Sequence, residues 1–161
     1  MHRAFMVMGV SGCGKSTVGA ALADALGGRF LDGDDYHPQS NIDHMAAGQP
    51  LTDDMRWPWL AILAEAVNET RQKTDAVFAC SALRSAYRDF LRQKVTDLQI
   101  VYLDAPRDLL LSRLGGRSDH FMPSSLLDSQ LATLERPQHP FATISVDQPM
   151  TAMIDDLLGR L

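Results

Sequence analysis

Short apolar stretches alternate with longer amphipathic ones along the chain. The apolar stretches, rich in Val, Ile, Phe and Leu, have the length of buried strands and lie at 4–8, 29–31, 76–80, 99–103 and 143–146. Helical spacing of apolar residues follows at 15–26, 41–47, 53–72, 83–95, 107–114, 124–134 and 150–158. Because strands that alternate with helices form parallel sheets covered on both faces, the pattern predicts a three-layer α/β fold with about five parallel strands.

Two stretches interrupt this alternation and predict excursions from the sheet. Residues 33–58 are rich in Asp, His, Asn, Pro and Gly, and residues 115–123 begin with a pair of glycines. A third stretch, 135–140, contains two prolines and is typical of a connector. The length of 161 residues fits one core, so we expect one domain over 1–161.

Composition and charge limit the classes of partner that the protein is expected to bind. The 15 Lys and Arg against 20 Asp and Glu give a formal net charge of −5, which disfavours a nucleic-acid binder that neutralises many phosphates. No apolar run approaches a membrane span, and the two cysteines cannot form a disulfide framework. These features predict a cytoplasmic protein without a membrane or nucleic-acid partner.

A phosphate-binding loop follows the first predicted strand and opens the first predicted helix. It matches G-x-x-x-x-G-K-[ST] and comprises Gly9, Val10, Ser11, Gly12, Cys13, Gly14, Lys15 and Ser16. Its glycines let backbone N–H groups turn towards phosphate oxygens, and the helix N-terminus adds its dipole. Lys15 is expected to bridge the β- and γ-phosphates of ATP and Ser16 to coordinate Mg²⁺. Thr17 is counted with the nucleotide-binding residues, although it occupies an ordinary first-turn position.

A phosphate loop alone fits switches, motors, ATPases and small-molecule kinases. A guanine-specific switch needs an N-K-x-D motif after a later strand. Residues 72–75 come near this motif, but they lack the Asn and precede their strand. These features argue against the switch.

The second predicted strand ends in an acidic segment. In a parallel sheet its carboxyl end lies at the same edge as the phosphate loop, where ligands collect. Asp32 and Asp34 would face the same side if the strand continued, but Gly33 favours a turn between them. One acid near a metal and the other near an acceptor hydroxyl is a sensible division of roles.

The series of motifs resembles the gluconate kinases, within the group of small-molecule kinases that includes shikimate and nucleoside-monophosphate kinases. The resemblance spans nearly the whole chain in order, through the segments 9–16, 31–38, 41–45, 48–60, 80–89, 112–121 and 147–149. It implies a P-loop kinase fold and the ATP- and Mg²⁺-dependent phosphorylation of D-gluconate at its 6-hydroxyl. It also suggests a homodimer.

The resemblance implies an acceptor site that suits a hydroxylated acid. Arg can capture a carboxylate, and Asp, His, Ser and Tyr can bind hydroxyls. The candidate substrate residues are Asp34, His37, Arg56, Ser81, Arg84, Tyr87, Arg88 and His120. Asp34 is assigned as general base and metal ligand, against the alternative of a carboxylate that caps its turn. For Asp32 metal support and strand-end hydrogen bonding both remain open, as do substrate contact and solvation for His37.

One position departs from the family pattern. The family often carries Lys where this chain has Arg84, so a planar fork replaces a compact ammonium and the partner of Arg84 is open. Arg56 and Arg88 could alternatively form surface ion pairs.

The segment 115–123 is expected to form a lid. Its glycines can hinge, and closure would bring Arg117 over the phosphates and exclude water. Arg117 thus joins Lys15 and Asp34 as the catalytic candidates, with solvated surface arginines as the alternative. By resemblance Arg113 and the turn of Asp147, Gln148 and Pro149 contact the nucleotide.

Two other functions remain in view. The chain could phosphorylate another polyol acid or a nucleotide, although no base-stacking pocket is evident for a nucleotide acceptor. It could also be a nucleotide-binding regulator without turnover, but the joint presence of Lys15, Ser16, Asp34 and Arg117 argues for a catalyst.

Overall fold

The structure of the chain is a computed structural model that describes residues 1–115 and 124–161. Five strands form one parallel sheet in the order β2-β3-β1-β4-β5. They are β1 (Ala4–Met8), β2 (Arg29–Asp32), β3 (Ala76–Ala79), β4 (Gln99–Asp104) and β5 (Ala142–Ser145). In the central strand Met6 is in register with Phe78 of β3 on one side and Ile100 of β4 on the other. The predicted parallel α/β sheet is confirmed.

Helices follow or precede each strand close to where the sequence pattern places them. They are α1 (Lys15–Leu26), α2 (Gln39–Ala46), α3 (Asp53–Thr70), α4 (Ser85–Lys94), α5 (Arg107–Gly115), α6 (Ser124–Thr133) and α7 (Met150–Gly159). None of the helices in the described ranges is long and apolar enough to cross a membrane.

Three local features differ from the sequence expectation. A 3₁₀ turn, Gly33–Tyr36, follows β2 and was not predicted. Helix α2 begins at Gln39 rather than residue 41, because Pro38 supplies its N-cap carbonyl to Asn41 and so starts the helix earlier. Helix α4 begins at Ser85 rather than residue 83, because Arg84 is in extended conformation, with φ of −98° and ψ of 143°, and forms the N-cap.

Two apolar cores cover the two faces of the sheet. Side chains alternate between faces along each strand, so in β1 Met6 and Met8 point to one core while Phe5 and Val7 point to the other. Helices α3 and α4 complete the first core, and α1 and α7 contribute to the second. Full burial of side chains of this size contributes about 1.5–3 kcal/mol each, which fixes the register of the central strand.

The carboxyl ends of the strands all meet at one edge of the sheet, because the strands are parallel. Strand β1 leads into the phosphate loop, β2 into the 3₁₀ turn, β3 into the segment 81–84, and β5 into the turn 146–149. The sheet therefore brings together segments that are far apart in sequence, and α3 and α6 add side chains to the same edge.

Gly33 is the point of closest approach between the 3₁₀ turn and β3. A Cβ atom at this position would collide with the Ala79 carbonyl oxygen and lie 3.3 Å from Cδ2 of Leu63. We expect Gly33→Ala to lower the free energy of unfolding by about 1–3 kcal/mol, the usual cost of overpacking, as measured by urea denaturation. Gly159→Ala is the control, because nothing lies within 4 Å of the position that its Cβ atom would occupy. Equal stability of the two variants would contradict this account of Gly33.

Candidate active site

The phosphate loop has a backbone conformation that depends on glycine. Gly12 and Gly14 have φ of 85° and 95°, in the left-handed region that favours glycine. Helix α1 begins directly after Gly14, whose carbonyl accepts a hydrogen bond from the Val18 N–H at 2.9 Å. The Lys15 ammonium donates to the Val10 carbonyl at 3.2 Å. The lysine therefore lies back over its own loop, where a nucleotide phosphate would meet it.

Both thiols near the loop are buried and protonated. Burial raises the pKa of Cys13, although the nearby Lys15 charge opposes the effect. Burial likewise raises the pKa of Cys80, at the end of β3, to about 12. Because the thiolate is the reactive form, these side chains serve as small apolar packing groups.

The two acids after β2 occupy different positions. The Ser16 hydroxyl donates to Oδ2 of Asp32 at 3.3 Å, while Oδ1 of Asp32 accepts from the Asp34 N–H at 3.1 Å and caps the 3₁₀ turn. The Asp34 side chain is 88% exposed and lines the adjoining cavity. Asp32 therefore both caps the turn and lies beside Ser16, whereas Asp34 faces the acceptor side.

A cavity of about 630 Å³ is lined by residues of the phosphate loop, the 3₁₀ turn and helices α3, α4 and α6. Six of the eight predicted substrate residues line it: Asp34, His37, Arg56, Ser81, Arg84 and Tyr87. Ser11 of the phosphate loop also lines it, so the cavity extends from the acceptor residues to the nucleotide site. His120 and Arg117, with most of the predicted lid, lie outside the described residues.

His37 is held in one tautomer. Its ring stacks on Trp59 with the centroids 4.1 Å apart, and Nδ1 lies 3.2 Å from Nδ2 of Asn41. The Asn41 amide nitrogen also donates to the Met55 carbonyl at 3.0 Å. Since an amide nitrogen only donates, Nδ1 must accept and the ring proton is assigned to Nε2. That Nε2 lies 4.0 Å from Oδ1 of Asp34.

Burial lowers the pKa of His37, although the Asp34 carboxylate acts in the opposite direction. Arg56 lowers the pKa of His37 further. The imidazole is therefore neutral at physiological pH, and it offers an N–H towards the carboxylate and the cavity.

Arg56 and Tyr87 brace each other at the cavity wall. The Arg56 guanidinium lies over the Tyr87 ring, 5.2 Å from its centroid, and donates to the Leu51 carbonyl at 2.7 Å. The Tyr87 hydroxyl donates to Oδ1 of Asp53 at 2.6 Å. Burial and this carboxylate raise the pKa of Tyr87, so the hydroxyl keeps its proton. Together these contacts hold the planar Arg56 guanidinium beside the cavity, in an orientation that can bind a carboxylate.

Arg88 does not line the cavity. Its guanidinium is buried and donates to the Ala82 carbonyl at 2.8 Å and to the Glu135 carbonyl at 2.6 Å. Burial lowers the pKa of Arg88 from its very high ordinary value. Arg84 lies four residues before Arg88 but does not share a helical face with it, because Arg84 precedes the helix in extended conformation. Arg88 thus holds backbone in place, and Arg84 alone of the pair reaches the cavity.

On the nucleotide side, Arg113 contacts the turn after β5. Its guanidinium donates to the Val146 carbonyl at 3.2 Å. Gln148 donates from its side chain to the Ser145 carbonyl at 2.7 Å, and Pro149 caps α7. The structure therefore joins the two segments that the family resemblance assigns to the nucleotide, and the turn follows β5 at the carboxyl edge of the sheet.

Several residues at the site were not anticipated from the sequence. Asn41 is buried, which is unusual for an asparagine and indicates a structural role for its side chain. Trp59 packs in the core below α3, and its indole N–H donates to the Gly33 carbonyl at 2.8 Å. Gln130 contacts Ser11 across 119 positions, and no local pattern could have shown this.

The sheet order, the phosphate loop and the cavity together define a P-loop kinase of small molecules. A family model described as an AAA domain matches residues 5–137. The chain is 43% identical to the gluconokinase of Gluconobacter oxydans, covering 97% of this chain and 89% of that protein. It is 40% identical to the thermoresistant gluconokinase of Escherichia coli, covering 95% and 90%. A gluconokinase crystal structure from Sinorhizobium meliloti superimposes with a TM-score of 0.86 at 43% identity, covering 98% and 90%. The chain belongs to the gluconokinase family.

The neutral state of His37 predicts a stability that depends on pH. Its folded pKa lies below the ordinary value of about 6.5. The unfolded chain therefore binds this proton more readily than the folded one, and its contribution is full above pH ~6.5 and falls as the pH drops towards the folded pKa. We expect thermal unfolding between pH ~7 and 5 to show a smaller acid loss in His37→Gln than in the wild type. An equal loss would contradict the assignment, and the ¹⁵N shifts of the ring would report the tautomer.

The different positions of Arg84 and Arg88 predict different defects. Arg88→Met leaves the buried Ala82 carbonyl and the partly buried Glu135 carbonyl without this donor, and is expected to lower the free energy of unfolding by about 1–3 kcal/mol. Arg84→Met is expected to leave stability within ~0.5 kcal/mol, because Arg84 is exposed, and to raise KM for the acceptor. Urea unfolding and steady-state kinetics separate the two, and the reverse assignment of defects would refute the positions described above.

Proposed function

We propose that this chain transfers the γ-phosphoryl group of ATP to the 6-hydroxyl of D-gluconate, giving 6-phospho-D-gluconate and ADP. The observation that carries the proposal is the cavity in which Ser11 of the phosphate loop faces Asp34 and Arg56. The cavity offers a protein carboxylate that can accept from a substrate hydroxyl, and guanidinium groups that can bind a substrate carboxylate. The names of the relatives, gluconokinases at 40–43% identity, support the same reaction.

The acceptor chemistry follows from the lining residues. Arg56 and Arg84 are the proposed partners of the gluconate carboxylate, because a guanidinium can donate two parallel hydrogen bonds to it. His37, Ser81 and Tyr87 offer donors and acceptors for the sugar hydroxyls, and His120 is proposed to join them. With the carboxylate held at one end, the 6-hydroxyl at the other end of the chain can reach the phosphate loop.

The transfer step needs few covalent partners from the protein. The 6-hydroxyl oxygen forms a bond to the γ-phosphorus, the bond from that phosphorus to the β,γ-bridging oxygen breaks, and ADP leaves with the electron pair. Asp34 orients the hydroxyl and takes its proton, while Lys15 and the loop N–H groups offset the charge on the phosphates. Nε2 of His37 lies 4.0 Å from Oδ1 of Asp34, which is beyond hydrogen-bond distance, and its N–H is proposed to approach the carboxylate when the substrate is bound.

The oxygen donors beside the loop fit a magnesium ion. The Ser16 hydroxyl and the Asp32 carboxylate already lie 3.3 Å apart, and Mg²⁺ in kinases takes one or two such oxygens with water and phosphate oxygens. Ser16 with Asp32, and Asp34 on the acceptor side, are the residues proposed to hold it. The ion would neutralise phosphate charge and orient the γ-phosphate.

Further proposals complete the enzyme. Arg117, in a lid over about 115–123, is proposed to cover the phosphates and exclude water. Arg113, Asp147, Gln148 and Pro149 are proposed to contact the nucleotide, together with Thr17 and the loop residues Gly9, Val10, Ser11, Gly12, Cys13, Gly14 and Ser16. We further propose that the chain forms one kinase domain over 1–161 and works as a cytoplasmic homodimer on small molecules rather than on nucleic acids or membranes.

A substrate panel tests the proposed reaction directly. Coupled ADP-release assays with gluconate, shikimate, other sugar acids and nucleoside monophosphates should show the highest kcat/KM with gluconate. Asp34→Asn should lower kcat by a factor of about 10²–10⁴ with little effect on ATP binding by calorimetry, because it removes the proton acceptor. Asp35→Asn is the matched control, since Asp35 is exposed in the same 3₁₀ turn and should keep its activity.

Preference for another acceptor would refute the substrate. Unchanged turnover in Asp34→Asn would refute the role of Asp34 as the general base while leaving the substrate assignment intact. Lys15→Ala serves as the comparison variant for a defect in nucleotide binding, because it should weaken both ATP binding and turnover.

A further inference from the structure

Helix α6 forms one wall of the acceptor cavity and contacts the phosphate loop. Leu126, Ser129, Gln130 and Thr133 line the cavity at helical spacing, so one face of the helix is turned towards it. From this face the Gln130 side chain reaches Ser11, which precedes it by 119 positions.

The contact consists of two hydrogen bonds. The Ser11 N–H donates to Oε1 of Gln130 at 2.8 Å, and Nε2 of Gln130 donates to the Ser11 hydroxyl at 3.0 Å. A backbone N–H can only donate, so the amide oxygen must face it and the amide nitrogen is left for the hydroxyl. The carboxamide therefore fixes both the peptide plane and the hydroxyl of Ser11.

The position of this contact gives it a role in the transfer. Ser11 is the member of the phosphate loop that lines the cavity together with Asp34 and Arg56. A phosphoryl group that moves from the nucleotide to the acceptor must therefore pass beside Ser11. Gln130 lies next to that path, so both the shape and the neutrality of its side chain bear on how a phosphate is received there.

We propose that Gln130 is a positioning residue for the terminal phosphate of ATP, acting through Ser11. Its carboxamide holds the loop in the form that receives this phosphate, and its neutrality avoids repulsion beside it. A glutamate would match the size of the side chain and accept both Ser11 hydrogens, but its charge would lie next to the terminal phosphate. The proposal rests on the proposed kinase function.

The rest of α6 is fastened independently of Gln130. Asp128 accepts two hydrogen bonds from Arg107, at 2.7 and 3.1 Å. After the helix, the Glu135 N–H donates to the Leu83 carbonyl at 2.8 Å. Changes at Gln130 should therefore act on the phosphate loop rather than release the helix.

The test compares two nucleotides on the full-length chain. We expect Gln130→Glu to bind ADP within about threefold of the wild type and to bind a non-hydrolysable ATP analogue about tenfold or more weakly, because charge repulsion acts on the terminal phosphate. Isothermal titration calorimetry without any acceptor measures both affinities. Ala132→Glu is the matched control, because it adds the same charge at an exposed position of the same helix that does not line the cavity, and it should keep the wild-type ratio of the two affinities.

A second variant separates positioning from charge. Gln130→Met removes both hydrogen bonds without adding charge, so it should lower kcat about tenfold or more while keeping the ATP-to-ADP affinity ratio near that of the wild type. It also stands in for Gln130→Glu if thermal unfolding shows that the charged variant does not fold.

Equal weakening of ADP and the ATP analogue by Gln130→Glu, or wild-type kcat in Gln130→Met, would overturn the proposal. Nucleotide binding is measured without gluconate, so this result does not depend on which acceptor the enzyme uses. A failure of the substrate panel would therefore be distinguishable from a failure of the role of Gln130.

Discussion

The close approach of β2 and β3 at their carboxyl ends is the constraint on which the site depends. Gly33 packs against the Ala79 carbonyl with no room for a side chain, and Trp59 donates its indole N–H to the Gly33 carbonyl. The same indole ring carries the stacked His37. One tight backbone contact therefore sets the turn after β2, the place of Asp34 beyond it, and the ring that faces Asp34.

A second theme is the use of arginine on backbone carbonyls. Arg88 binds the carbonyls of Ala82 and Glu135, and Arg71 binds those of His2 and Thr96, although both guanidinium groups are buried. Each guanidinium donates to carbonyl groups outside the regular hydrogen bonds of sheet and helix. This avoids the free-energy cost of leaving those carbonyls unpaired. In this way Arg88 stabilises the left-handed residue Ala82 and the segment that presents Ser81 and Arg84 to the cavity.

The electrostatics of the site are local and differ from those of the whole chain. The net charge is −5, yet the cavity lining holds two arginines, Arg56 and Arg84, against two aspartates, and Lys15 lies in the adjoining phosphate loop. Asp34 is one of these aspartates, while Asp32 lies beside Ser16. A balanced site in a net acidic chain is possible, because screening limits the reach of exposed charges to about 10 Å.

The sequence by itself determined the parallel sheet and the phosphate loop, because strand periodicity and glycine spacing are local signals. Six of the eight residues that the family-like motifs predicted for the substrate line one cavity. The tertiary structure decided what depends on contacts between distant segments. It turned Arg88 inward onto the carbonyls of Ala82 and Glu135, whereas Arg84 is extended before the helix and lines the cavity. It also fixed the tautomer of His37 through Asn41 and placed Gln130 on Ser11. Hydrogen bonds between segments far apart in the chain have no periodicity in sequence, so only the packed fold reveals them.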